Sequence, residues 1–235
     1  MFHIMMPFSR EYTKEFYIDN LRPFNIIWHP ISEKPYDWPM EDWIQPLVYD
    51  KTGMKIKLSP FFALKKFFEN YEIINDDYYF ELSDDDFLEP DFINKLNNRN
   101  KFCDFPNSRI DTNFIVVSLM RGHNMVPTSG YPNSTLIAHP DNMRLYWASM
   151  SQIIIKGKIF KDTYLEFILK YGTLSLPLDG FYIQHLWNTY PGSSFTFVPE
   201  VYQWFNYLEP GRWNNLTCDI IPNKYINLNN IKDQS

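Results

Sequence analysis

A chain of 235 residues with 45% hydrophobic content is long enough to bury a sizeable core, and one domain is expected. Its 22 Lys+Arg against 28 Asp+Glu give a net charge of -6, and no basic stripe runs along it that could track a phosphate backbone, so nucleic acid is not an expected partner. Cys103 and Cys218 lack metal-type spacing, no stretch reaches bilayer-spanning length, and the apolar start "MFHIMMPF" has no basic leader. These features predict a reduced, cytoplasmic protein without a transmembrane segment, at most peripheral at a membrane.

In chain order, "FHIMMPF" reads as a strand closed by proline, and "SREYTKEFYIDNL" follows with Phe16, Tyr17 and Leu21 at helical spacing. The run "FNIIWHPI" is a second strand, its Ile26, Ile27 and Ile31 being β-branched. Strand, helix and strand at this length imply a parallel pair joined by a right-handed crossover. After a Pro- and Trp-rich connection, "SPFFALKKFFENY" puts Phe61, Leu64, Phe68 and Tyr71 on one helical face, with Lys65 and Lys66 on the polar side. "YYFEL" is then a strand and "EPDFINKL" opens a helix.

Residues 97–113 read as an irregular connection, "FIVVSLM" as a strand and "RGHNMVPTSGYPNST" as a polar loop. Further on, "QIIIKGKIF" is strand-like, "DTYLEFILKYG" and "DGFYIQHLWNTY" are helical, and "SSFTFVPEVYQWF" alternates as a strand. The tail after residue 222 is polar and expected to fray. The whole is an α/β pattern, in which ligands bind at the carboxyl edge of the parallel strands.

At that edge stands "YYFELSDDDFLEP", in which Asp84, Asp85 and Asp86 follow an apolar strand. Three adjacent carboxylates repel, and either water or a metal ion must offset the repulsion. Carboxylate oxygens suit Mg²⁺ and Mn²⁺, which keep positions open for substrate phosphates. A solvated acidic turn is the alternative.

The segment "YYFELSDDDFLEPDFI" resembles the D-x-D region of nucleotide-sugar-dependent glycosyltransferases of the GT-A fold, family 2-like. The resemblance runs from residue 2 to about residue 215, through "FHIMMPFSREYTKEFYIDNL", "NIIWHPI", "QIIIKGKIFKD" and "LPLDGFYIQHLW". It implies a GT-A-like, Rossmann-like central sheet, mostly parallel and flanked by helices. A single domain would span residues 1–222, with a donor-binding half over 1–96, an acceptor-binding half over 97–222 and a polar tail over 223–235.

It also implies Mn²⁺ or Mg²⁺ held by Asp84 and Asp86, with Asp86 the direct ligand and Asp84 or Asp85 turned to the ribose or a metal-bound water. Pro7, Phe8, Ser9 and Arg10 would hold the nucleotide. His29 stands where many relatives carry an acidic residue for the base or ribose, which leaves the base open between UDP- and GDP-type donors.

Asp179, opening "DGFYIQHL", is the candidate general base of an inverting hexosyl transfer to a carbohydrate or other hydroxyl acceptor, since such a transfer needs one carboxylate to take the acceptor's proton. Helix capping is its other reading. Arg212 in "LEPGRW" is a candidate diphosphate ligand, or a surface partner of Glu209. Trp38, Trp43, Trp204 and Trp213 are candidate stacking platforms, although loop aromatics also plug cores. The alternative function is a non-catalytic sugar-binding or scaffold protein with a transferase fold. A sugar nucleotidyltransferase ranks below it, because "PFSREYTKE" lacks the glycines of a triphosphate loop.

Overall fold

The computed structural model describes residues 1–52, 59–89, 94, 112–121, 135–136, 138–144, 149–171 and 178–205. A short apolar strand, β1 (Phe2–Pro7), leads through one turn of 3-10 helix into α1 (Lys14–Leu21) and back to β2 (Ile26–Ser32), which lies parallel to β1 with Phe2 opposite Ile26. β3 (Leu47–Val48) extends this edge in parallel. After α2 (Ser59–Asn70), β4 (Tyr78–Glu81) pairs in parallel with the other side of β1. The parallel pair expected of the first strands is present.

The remaining strands are β5 (Phe87–Leu88), β6 (Phe114–Arg121), β7 (Thr135–Leu136), β8 (Ile153–Lys156) and β9 (Phe195–Phe205). They complete a nine-stranded sheet of order β3-β2-β1-β4-β8-β6-β9-β5, with β7 beside β6. β1 to β4, β6 and β9 run one way, whereas β8, inserted between β4 and β6, is antiparallel to both. The structure is thus an α/β sheet, mostly parallel in strand direction and flanked by helices. The helices of the second half are α3 (Pro140–Arg144), α4 (Gly157–Tyr171) and α5 (Leu178–Thr189).

Both faces of the sheet are buried, which is why its strands are apolar at nearly every position rather than alternating with polar residues. Phe2, Ile4 and Met6 of β1, with Tyr78 and Phe80 of β4, pack with Tyr17, Ile18 and Leu21 of α1. The intervening Met5 and Tyr79 face the opposite layer, where α2, α4 and α5 bring Leu64, Phe67, Phe160, Tyr164 and Tyr182. A one-residue shift in either strand would exchange the two layers.

β8 is shorter than "QIIIKGKIF" suggests. The strand ends at Lys156, and the helix begins at Gly157 rather than near Asp162. Two carbonyls of the preceding connection take the first helical amides: Gly157 N–H donates to Asp77 O at 2.7 Å and Lys158 N–H to Asn75 O at 3.1 Å. The chain passes so close here that a Cβ on Gly157 would lie 2.0 Å from the Ile74 carbonyl oxygen. Only glycine fits that approach.

The aromatic connection after β2 closes the core. Trp38 meets Phe8 and Trp28 edge-on with ring centroids 4.9 and 5.1 Å apart, and Trp43 stacks near Trp28 at 6.1 Å. The helix expected at "EPDFINKL", the stop at Gly172 and the tail lie outside the described residues. Among the described residues no helix is long and apolar enough to cross a membrane.

Candidate active site

The carboxyl ends of β1, β2 and β4 stop side by side, and beyond them opens a cleft of about 290 Å³. Its lining includes Ser9 and Arg10 from the loop after β1, Ile31 near the end of β2 and Glu33 just beyond it, Pro60 in the first turn of α2, and Glu81, Ser83, Asp84 and Asp85 at the end of β4. Pro7, Phe8 and Tyr49 complete it. Parallel strands create such a crevice because their connections leave on opposite faces.

Phe8 anchors the first loop: it is 3% exposed, its N–H donates to Ile31 O at 2.7 Å, and Tyr36 and Trp38 pack against its ring. So fixed, the loop turns two backbone amides toward the acidic turn. Asp84 Oδ2 accepts from Ser9 N–H at 2.6 Å, Ser9 Oγ–H at 3.0 Å and Arg10 N–H at 2.8 Å, and the Arg10 guanidinium binds its Oδ1. The second guanidinium nitrogen reaches Asp85 Oδ2 at 3.0 Å. Burial pulls Arg10 down, but the charges of Asp84 and Asp85 outweigh it and hold the guanidinium above its ordinary value.

Asp86 goes elsewhere. Its N–H closes a turn on Ser83 O at 3.1 Å, its side chain is 0% exposed, and its Oδ2 accepts from Gln203 Nε2 of β9 at 3.1 Å. Tyr17 of α1 braces the same turn, its hydroxyl lying 2.5 Å from Asp86 O and 3.1 Å from Ser83 O. Asp86, expected as the direct metal ligand, therefore does not line the cleft, because the turn points three consecutive side chains in different directions. The repulsion within the triad is offset by the loop amides, Arg10 and Gln203.

His29 is also displaced from its expected role. Lying within β2, it is 2% exposed beneath Phe67 and Tyr71 and does not line the cleft. Its Nε2 is 3.0 Å from His3 Nδ1, and His3 Nε2 is 3.1 Å from Asp77. Burial, followed by the charge of His3, pushes His29 down to about 3. Trp38 and Trp43 belong to the core, whereas Arg212, Trp213 and the side chain of Trp204 lie outside the described residues.

Asp179 sits half-buried in the first turn of α5. Its charge is felt by Glu81, which sequence reading passed over as part of an apolar strand. Glu81 follows Tyr79 by two positions and so faces the α2, α4 and α5 layer, where its Oε2 is buried with no hydrogen-bond partner. Burial first, and then the charge of Asp179, push its carboxyl up to about 8. Tyr164 lies within the same field: burial, then Glu81, Tyr182 and Asp179, raise it well above the usual phenol range, and its hydroxyl has no partner either. The signal in the sequence was a lone carboxylate among "YYFEL", where a buried charge is costly.

Charge and oxygen occupancy decide whether a divalent cation suits this cleft. Asp84 is filled with donors and Asp86 is turned away, but Glu33, Glu81, Asp84 and Asp85 line the space against the guanidinium of Arg10. Among the described residues no cluster of three His, Cys, Asp or Glu side chains is arranged to hold a metal ion. Any ion here would be held through Asp85 and Asp84, which are already bound by Arg10 and the loop amides.

No family model matches the sequence, and no curated protein matches it. Among solved structures, the galactosyltransferase LgtC in complex with donor and acceptor sugar analogues is similar to this chain, at 9% identity and a TM-score of 0.47, covering 99% of this chain and 94% of that one. At that level the likeness carries no argument about activity, and any functional reading rests on the cleft.

Proposed function

We propose that the chain is a GT-A-type glycosyltransferase, which moves a sugar from a nucleoside diphosphate donor, UDP- or GDP-type, to a hydroxyl of a carbohydrate or other acceptor. The observation that carries this reading is the cleft at the ends of β1, β2 and β4. There the acidic turn is latched to the loop after β1, and the charge of Asp179 at the start of α5 reaches Glu81 in the lining. Ser9 and Arg10 lie where a nucleotide's phosphates would enter, and the rigid loop needs no rearrangement to receive them.

Diphosphate is itself anionic, and lining carboxylates outnumber Arg10. A divalent cation held by Asp85, with Asp84 beside it, would supply the missing positive charge to the leaving group. Asp179 takes the proton of the acceptor hydroxyl as that oxygen bonds to the anomeric carbon, while the bond from that carbon to the diphosphate oxygen breaks and its electrons leave with the diphosphate. The product is inverted at that carbon, and the proton ends on Asp179.

Calorimetric titration of UDP, GDP, UDP-glucose and GDP-mannose, with and without Mn²⁺, on the parent and on Asp85→Ala tests this reading. Binding that needs both Mn²⁺ and Asp85 is the expected result. Absence of binding to every probe by a folded protein would refute it. Binding without hydrolysis of the donor or transfer would turn the chain into a sugar-nucleotide-binding module.

A further inference from the structure

Glu81 has a place that the proposed transfer does not use. It ends β4, opposite Met5 of β1, and lines the cleft between the acidic turn and the layer of α4 and α5 that contains Asp179 and Tyr164. The turn's carboxylates are supplied with donors by the protein: three hydrogen bonds and a guanidinium on Asp84, Arg10 on Asp85, Gln203 on Asp86. Glu81 Oε2 is buried and receives none. A buried polar oxygen left without a partner at the floor of a cleft is a cost that a ligand can relieve.

We infer that Glu81 is a sugar-binding residue, whose carboxyl holds a hydroxyl of the transferred sugar at the cleft floor. The inference rests on the sugar-transfer reading and deepens it. A charged ligand group would be wrong here: a phosphate would be repelled by Asp179 and by the acidic turn, and an ammonium would be expected to draw the carboxyl into its ionised form. A hydroxyl both donates and accepts, as does a carboxyl that keeps its proton. Burial and the neighbouring Asp179 keep that proton in place up to about pH 8, so at neutral pH Glu81 donates one hydrogen bond and accepts others. Tyr164, with its own hydroxyl unpartnered in the same field, provides a second polar group toward that layer.

The test compares the sugar-free nucleotide with the sugar-bearing one. UDP, UDP-glucose, GDP and GDP-mannose are titrated into the parent, Glu81→Gln and Glu81→Ala in the presence of Mn²⁺, with thermal melting as the control for folding. In Glu81→Ala the affinity for the nucleoside diphosphate is expected to be unchanged, while that for the matching nucleotide sugar falls by roughly tenfold, the worth of one good hydrogen bond. Glu81→Gln, which keeps one donor and one acceptor, is expected to recover most of the loss. The parent's sugar binding is expected to weaken above about pH 8, and Glu81→Gln is expected to abolish that dependence.

Equal weakening of diphosphate and nucleotide sugar, or no change in either, would overturn the role of Glu81 while leaving sugar transfer standing. A parent that binds none of the probes would remove both readings together.

Discussion

Two acidic regions of the molecule differ in what surrounds them. The turn at Ser83–Asp86 is acidic in sequence yet electrostatically finished: each carboxylate has a donor supplied by the loop after β1 or by β9. Glu81 and Asp179 belong to different halves of the chain and are invisible as a motif, yet the charge of Asp179 reaches Glu81, whose Oε2 is buried and unpartnered. The comparison separates carboxylates that the protein itself pairs from one that it leaves unpaired. Donors already in place mark the first kind, and the buried, unpartnered Oε2 of Glu81 marks the second.

The largest effect is expected from the finished region. Asp84→Asn puts an amide N–H₂ among donors that need an acceptor and strands the buried end of Arg10. It is expected to cost on the order of 3 kcal/mol, a fall of roughly 6–12 °C in melting temperature for a chain of this size. Melting close to that of the parent would show that the latch contributes nothing to the fold. Asp179→Asn is the counterpart in the other region. It should melt as the parent does but lose at least about a hundredfold in donor turnover, measured as nucleoside diphosphate released. Retained turnover would remove Asp179 from the chemistry and leave it as part of the first turn of α5.

Glu81→Gln sharpens the contrast further, since it should stabilise the protein. The folded carboxyl titrates near 8 and the unfolded one near 4.5, so as pH rises through that window the unfolded state loses its proton first and the folded state loses stability. The amide removes this dependence, so the variant is expected to melt higher than the parent at pH 8, with little difference at pH 4. A variant less stable than the parent at both values would mean that the carboxylate is already satisfied.

The smallest effect belongs to His29, which has no cleft beside it. Its pKa is depressed to about 3, so stability is lost as pH falls from about 6.5, where the unfolded imidazole takes up a proton that the folded one refuses. Replacing His29 with Phe, which suits its place against Phe67 and Tyr71, should flatten the acid side of the melting profile between pH 6.5 and 4.5 by on the order of 2 kcal/mol. An unchanged acid side would assign that loss to other groups.

The first half of the fold was legible in the sequence because each element carries a local signal: apolar runs ended by Pro7 and near Pro30, and an amphipathic α2 opened by Ser59 and Pro60. β8 was legible as a strand but not in its limits, since what ends it is a pair of carbonyls from Asn75 and Asp77, far away in the chain. The acidic turn was found by composition. Which carboxylate faces the cleft depends on a single turn geometry, and the family resemblance favoured Asp86 where the structure brings Asp85 to the lining. Glu81 escaped notice because its meaning comes from Asp179, which only the packing of α5 places within reach.

The insertion of β8 between β4 and β6 also sets a timetable. When β4 leaves the ribosome, its outer edge has no partner until residue 153 follows, 72 residues after residue 81. At about 5–20 residues per second that interval is roughly 4–14 seconds. During it, Tyr78, Tyr79 and Phe80 present an apolar, unpaired strand edge to any other nascent chain. Substitutions that slow the closing of β8 onto that edge, at Gly157 above all, would therefore be felt first in how much protein stays soluble during synthesis, before any change in the finished cleft.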